Sequence, residues 1–164
     1  GGKVFVCDIN QSMLEAGKAK IEKKPGPENI EWICGDAESL PVSDRSVDAY
    51  TIAFGLRNVT SIPNALREAR RVLRPGGRFL CLEFSKPAIA FINPIYDAYS
   101  FKILPEIGDF VANDRNAYKY LVESIRKFPD QIDLEQHINS AGLEKSSYRN
   151  LSGGIAAIHS AWRL

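Results

Sequence analysis

The sequence predicts an α/β chain on a mostly parallel sheet, closed by a C-terminal antiparallel hairpin. Three observations predict it. Short apolar runs at 4–7, 30–34, 47–54 and 79–84 alternate with segments of helical period, the pattern of parallel βαβ units. Polar residues fall where those runs end, at Asp8, Asp36, Arg57-Asn58 and Glu83-Ser85. Open α/β sheets bind their ligands beyond the carboxyl ends of their strands. Finally, only Gly153-Gly154 and their neighbours separate two strand-like runs at 143–151 and 155–162, which suits a hairpin.

In chain order, Val4-Phe5-Val6-Cys7 is a buried strand closed by Asp8. Asn10 is a good N-cap for a helix whose stripe is Met13, Leu14, Gly17 and Ile21, with lysines in the last turn where cations suit the dipole. Pro25-Gly26-Pro27 ends it, and a strand at 30–34 follows. After a loop through residue 46 comes the third strand, 47–54. Thr60 or Ser61 caps the next helix, with Pro63 in its first turn and Ala65, Leu66, Ala69, Val72 and Leu73 as its buried stripe. Arg67, Arg70, Arg71 and Arg74 lie mostly off that stripe and read as a solvated face. Pro75-Gly76-Gly77 stops the helix before the strand at 79–84.

The alternation breaks after Ser85. Residues 86–129 contain no clear strand, concentrate aromatic residues, and include a predicted helix at 116–127. This segment is too long and apolar for a plain connector, and reads as a helical insertion capping the site. A helix at 133–141, ended by Gly142, precedes the hairpin.

A chain of 164 residues fits one domain with a substantial core. With 21 basic and 20 acidic residues, it offers no electrostatic case for nucleic-acid binding. Cys7, Cys34 and Cys81 have no ligand-like spacing and read as buried free thiols in a reducing compartment. No apolar run is long enough to span a bilayer. No signal peptide is read: the chain opens with no lead-in to its first strand, as a piece of something longer would.

Asp8 can accept both hydroxyls of a ribose, the job an acid performs in dinucleotide folds, or can simply cap the following helix. Asp36 can accept from an adenine amino group while the backbone at Ala37 meets the ring edge; its alternative is a turn residue. Acids on successive strand ends reinforce each other and describe an adenosine across the sheet's edge. Arg57 is suited to an oxyanion, and Asn58 can donate and accept. The competing reading pairs Arg57 with Asp44 or Asp48. His137 and His159 lack partners at metal spacing and are taken as structural. Tyr96 and Tyr99 are read as packing residues rather than acids, with the lining of a pocket as the alternative.

Ordered motifs run along the chain: Asp8-Ile9-Asn10 with Met13-Leu14, Gly35-Asp36-Ala37-Glu38 with Leu40-Pro41, and Phe54-Gly55-Leu56-Arg57-Asn58-Val59. Arg71-Val72-Leu73-Arg74-Pro75-Gly76-Gly77-Arg78 and Leu82-Glu83-Phe84-Ser85 follow, then Tyr96-Asp97-Ala98-Tyr99-Ser100-Phe101, Tyr120-Leu121-Val122-Glu123-Ser124-Ile125-Arg126 and Ala156-Ala157-Ile158-His159-Ser160. This set resembles the UbiE-type C-methyltransferases of ubiquinone and menaquinone biosynthesis over essentially the whole chain. Arg74 stands where lysine is more usual.

The resemblance implies a single Rossmann-like class I methyltransferase domain over 1–164, truncated at its N-terminus, with 86–129 as a helical insertion. Family members carry a first strand and a glycine-rich turn before the point where this sequence begins. Loss of that strand would expose two strand edges. The resemblance also implies S-adenosylmethionine as methyl donor, held by Asp8, Asp36 and Ala37, with no metal. It implies a polyprenylated quinol as acceptor, with Arg57 and Asn58 catalytic and the prenyl tail on 95–110. Peripheral membrane contact, other quinone-biosynthesis enzymes and a homodimer are the partners it suggests. The compartment it implies is the matrix face of the mitochondrial inner membrane in a eukaryote or the cytoplasm in a bacterium. Two alternatives stand beside it: a non-catalytic scaffold of a quinone-synthesis complex, and a nicotinamide-dependent oxidoreductase of similar topology.

Overall fold

The structure is a computed structural model that describes residues 2–21, 27–86 and 115–164. Its strands and helices are β1 (Val4–Asp8), α1 (Gln11–Ile21), β2 (Ile30–Cys34), β3 (Val47–Ala53), α2 (Ile62–Val72), β4 (Leu73–Phe84), α3 (Arg115–Lys127), α4 (Gln131–Ser140), β5 (Glu144–Leu151) and β6 (Ala156–Trp162). Most of the expected insertion, including the tail-binding stretch 95–110 with Tyr96 and Tyr99, lies outside the described residues. The helix expected at 116–127 is α3.

The strands form two sheets. β1 and β2 pair in parallel, with Asp8 opposite Cys34. The second sheet has the order β3-β4-β6-β5. β3 and β4 are parallel, whereas β6 runs antiparallel to both β4 and β5. The hairpin therefore folds back so that its second strand lies inside the sheet and β5 takes the edge. β1 and β3 each have one edge without a strand partner among the described residues.

The connection after β2 ties the two sheets together through α2. Leu40 N–H donates to Glu68 Oε2 at 2.7 Å. Arg71 donates to Leu40 O, Val42 O and both Glu68 oxygens, and pairs with Asp44 at 2.5 Å. These bonds hold the Glu68 carboxyl below its ordinary range, the Arg71 hydrogen bond first among the causes. Arg71 is thus an anchor, which corrects the expectation of a solvated face. Arg70 also departs from it, donating from Nε to Gly142 O at 2.9 Å.

The core lies between α2, α4 and the larger sheet, around Leu66, Leu73, Phe79, Leu134, Ile138 and Leu143. The expected stripe of α2 is buried in full. Ser61 caps this helix, accepting from Asn64 N–H. The helix stops at Val72, earlier than Pro75-Gly76-Gly77, because Leu73 is already extended and pairs with Val47. Its free carbonyls are met from the far end of the chain: Arg163 Nη1 reaches Arg70 O, Arg71 O and Leu73 O at 2.7, 3.0 and 2.8 Å. In α1, Gly17 lets the helix sit on Trp32; a Cβ there would lie 3.0 Å from the indole.

Two expectations about burial fail. Met13 is 62 % exposed, and only Leu14 of the α1 stripe is buried. All three cysteines are free, but only Cys81 is buried; Cys34 is exposed. Burial pushes the Cys81 thiol well up and raises that of Cys7. His159 is buried, with Nε2 2.9 Å from Gln131 O and its ring beside Tyr148.

Candidate active site

Asp8 and Asp36 follow from β1 and β2, neighbouring parallel strands. Gly35 N–H donates to Asp8 O at 3.1 Å, so the two strand ends are held side by side. Each carboxylate spends one oxygen locally: Asp8 Oδ1 accepts from Asn10 N–H and Asp36 Oδ1 from Glu38 N–H, both at 2.8 Å. Asn10 in turn caps α1, accepting from Ser12 and Met13 N–H. The local role of each acid is therefore present. The second carboxylate oxygens bond nothing among the described residues, and both acids are exposed. Ile9, the neighbour of Asp8, is 71 % exposed and Met13, in the first turn of α1, 62 %, so apolar surface lies beside the Asp8 carboxylate. Polar acceptors for hydroxyl and amino groups flanked by apolar side chains fit an adenosine. Ala37 is half-buried and packs against the core.

Arg57 and Asn58 close a single 3-10 turn, Leu56–Asn58, that leaves the carboxyl end of β3. Leu56 is buried and anchors the turn in the core. Phe54, at φ +54°, turns the chain out of the strand. Neither expected aspartate meets Arg57, because Asp44 pairs with Arg71 and Asp48 with Arg74. Its partner is Glu83, at 2.8 Å. The parallel register explains this: Ala53 lies opposite Leu82, so the residues after both meet at one sheet end.

Glu38 brings the Asp36 turn to the Arg57 turn. Its Oε1 accepts from Thr60 and Ser61 N–H at 2.6 and 2.9 Å. Tyr120, from α3, contacts Asn58 Oδ1 through its hydroxyl at 3.3 Å. A cavity of about 500 Å³ lies here, with Arg57, Ser61, Tyr120, Glu123, Lys127 and Phe128 among its lining residues. Tyr120 and Glu38 were not singled out from the sequence as site residues. Glu38 could have been, as the acid beside Asp36-Ala37. Among the described residues no group of three or more His, Cys, Asp or Glu could hold a metal ion. Nor is any helix among them long and apolar enough to cross a membrane.

Two solved structures share this architecture. One is a SAM-dependent methyltransferase from Aquifex aeolicus, 18 % identical with a TM-score of 0.69, the match covering 99 % of this chain and 70 % of that one. The other is the [4+2]-cyclase SpnF, 16 % identical with a TM-score of 0.72, covering 99 % and 66 %. The fold is that of the class I S-adenosylmethionine-dependent methyltransferases. The cyclase shows that this fold does not by itself dictate the reaction.

Within that class the family is defined by sequence. The model of the ubiE/COQ5 methyltransferase family matches residues 1–163, and the chain belongs to this family. It is 53 % identical, over its whole length, to the ubiquinone/menaquinone biosynthesis C-methyltransferase UbiE of Paracoccus denitrificans, 66 % of which is covered. It is 52 % identical to the mitochondrial 2-methoxy-6-polyprenyl-1,4-benzoquinol methylase of Bos taurus, 50 % of which is covered. The chain thus spans half to two-thirds of the length of these relatives.

Proposed function

We propose that the protein carrying this chain methylates a ring carbon of a polyprenylated benzoquinol or naphthoquinol, with S-adenosylmethionine as donor. Family membership and the names of the relatives support the reaction class. The observation that carries the residue assignment is the Arg57-Asn58 turn, held at a strand end beside a cavity and tied through Glu38 to the Asp36 turn.

When bound, S-adenosylmethionine supplies an electrophilic methyl to the ring carbon, the S–C bond breaking as the C–C bond forms and the ring hydrogen leaving as a proton. Asp8 holds the ribose hydroxyls, and Asp36 with the Ala37 backbone holds the adenine. An aromatic carbon is a weak nucleophile until a ring hydroxyl ionises. Arg57 stabilises the resulting phenolate through charge and directed N–H groups. Asn58 orients the hydroxyl, or a water that takes its proton. The turn fixes both side chains relative to the strand end, which serves alignment of the acceptor carbon.

A polyprenyl acceptor partitions into membranes. The reading therefore places the protein at the matrix face of the inner mitochondrial membrane in a eukaryote, or in the bacterial cytoplasm against its membrane. A homodimer, or contact with other quinone-biosynthesis enzymes, would fit that setting.

The test is transfer of a labelled methyl group from S-adenosylmethionine to a demethylated quinol by the full-length protein. Turnover that Arg57→Ala abolishes is expected. A folded protein that binds S-adenosylhomocysteine yet methylates no quinol would be a scaffold instead.

A further inference from the structure

Glu83, the residue before the end of β4, has 1 % of its surface exposed. Three donors converge on its carboxylate. Oε1 accepts from Arg57 Nη1 at 2.8 Å and from Phe84 N–H at 2.9 Å, while Oε2 accepts from Arg57 N–H at 3.2 Å. Glu83 therefore grips both the backbone and the side chain of Arg57. Arg57 Nη1 also donates to Phe54 O, so that nitrogen has two acceptors for its two protons. The guanidinium carbon lies 5.9 Å from the Phe54 ring centre and 5.3 Å from that of Phe84, which limits rotation of the plane.

The opposite edge of the same guanidinium is different. Arg57 Nε is buried and has no hydrogen-bond partner, and Nη2 bonds nothing among the described residues. Arginine in a purely structural ion pair usually spends its planar fork on the carboxylate. Here the carboxylate takes one nitrogen and the backbone, and the Nε–Nη2 fork is left for something else. Buried N–H groups without acceptors are rare in folded proteins and mark places where a partner is expected.

We infer that Glu83 is a positioning residue. It locks the Nη1 edge of Arg57 so that the Nε–Nη2 edge is presented to the acceptor's ring oxygen as a two-donor fork. This rests on the function proposed above and specifies which face of Arg57 performs it. Both oxygens of the buried Glu83 carboxylate are engaged, so it acts through Arg57. It also offsets the charge of Arg57, so a neutral quinol enters without meeting a bare buried cation. The fork strengthens its hold as negative charge grows on the oxygen.

The experiment uses the full-length protein with Glu83→Asp, which keeps the charge but shortens the reach by one methylene, and Glu83→Gln, which keeps the reach but removes the charge. A displacement of the order of 1 Å at a reacting group can cost roughly 100-fold in rate. The expected result for Glu83→Asp is a fall in kcat of about tenfold or more. Its KM for the quinol, its affinity for S-adenosylhomocysteine and its melting temperature stay close to wild type. Glu83→Gln is expected to lose kcat and to move the acid limb of its pH–rate profile to lower pH, because an unneutralised Arg57 favours the phenolate. Normal kcat in both variants overturns the inference. So does a loss of S-adenosylhomocysteine binding and melting temperature in step with kcat, which makes Glu83 merely structural. If Glu83→Asp does not fold, Glu83→Gln decides by the same readings. If the wild type methylates no quinol, the proposed function fails, and the inference is read from titration with 4-nitrophenolate. Binding about tenfold weaker in Glu83→Asp than in wild type supports the position of the fork, and equal binding overturns it.

Discussion

Glu38 and Ser61 are joined by a hydrogen bond, Oε1 accepting the Ser61 N–H at 2.9 Å, although they belong to the connections after two strands of different sheets. The same carboxylate takes Thr60 N–H and lies 3.4 Å from Asn64 Nδ2. A negative charge at the start of α2 also suits the helix dipole. The turn that carries Asp36 is thereby fastened to the segment that carries Arg57 and Asn58.

Glu38→Ala should therefore destabilise the fold by about 1 kcal/mol, since it removes the acceptor of the half-buried Ser61 N–H, while the exposed Thr60 N–H turns to water. Glu38→Gln should recover part of this, because an amide oxygen still accepts. Denaturant unfolding of the three proteins checks the order wild type, Gln, Ala. An Ala variant as stable as wild type would mean that the two turns are held independently.

Asp8→Asn separates the two roles of Asp8. Asparagine keeps the acceptor for Asn10 N–H, so melting without ligand should hardly change. It loses the charge that strengthens bonds to ribose hydroxyls, which are worth about 1.5–3 kcal/mol when charge-assisted. Calorimetric titration should show S-adenosylhomocysteine binding weakened by roughly tenfold or more. Unchanged affinity would remove Asp8 from the binding site and leave it as the turn that precedes α1.

Much of this was legible because it depends on local pattern. Apolar runs of strand length, the Ser61 cap and the α2 stripe are set by residues close in sequence. Asp8 and Asp36 were readable as a pair because parallel strands deliver their ends to one side. The partner of Arg57 was not. Asp44 and Asp48 are nearer in sequence, but the β3–β4 register places Glu83 beside the turn and gives those aspartates to Arg71 and Arg74. Tyr120 was equally hidden, because it lies 62 residues from Asn58 and no local pattern ties the two. Arg163, one residue from the end, gave no signal of its place against the end of α2.

His159 should make stability pH-dependent in the acid range. Burial lowers its pKa from the ordinary value of 6.5, so the unfolded chain binds the proton more readily than the folded one. Its contribution is flat above 6.5, where both states are neutral. As pH falls below 6.5 the unfolded state gains protons first, and stability declines until the folded-state pKa is reached. His159→Gln should flatten this part of a pH series of urea midpoints, and an unchanged slope would assign it to other groups.

Arg163 offers the strongest test of how α2 is anchored. It is 8 % exposed, and its Nη1 serves three carbonyls at or just past the last turn of α2. Its backbone also exchanges two bonds with the glycine turn: Gly76 N–H donates to Arg163 O at 2.6 Å and Arg163 N–H to Gly77 O at 2.9 Å. Those backbone bonds survive any substitution other than proline, so side-chain replacement isolates the guanidinium. Arg163→Met keeps most of the apolar stem and removes the donors, leaving carbonyls without partners at a buried helix end. The expected cost is about 2–3 kcal/mol, in the range for hydrogen bonds made by a charged group. Arg163→Lys should cost less than Met, because one ammonium can still reach some of the carbonyls, but not match arginine. The same strain should reach the site, because Arg71 and Glu68, on the final turns of α2, hold the connection from Leu40 to Asp44. Hydrogen exchange in the Met variant should therefore quicken at Leu40 N–H as well as at the end of α2. Faster exchange confined to Gly76 and Gly77 would show that the helix end is anchored by its packing instead.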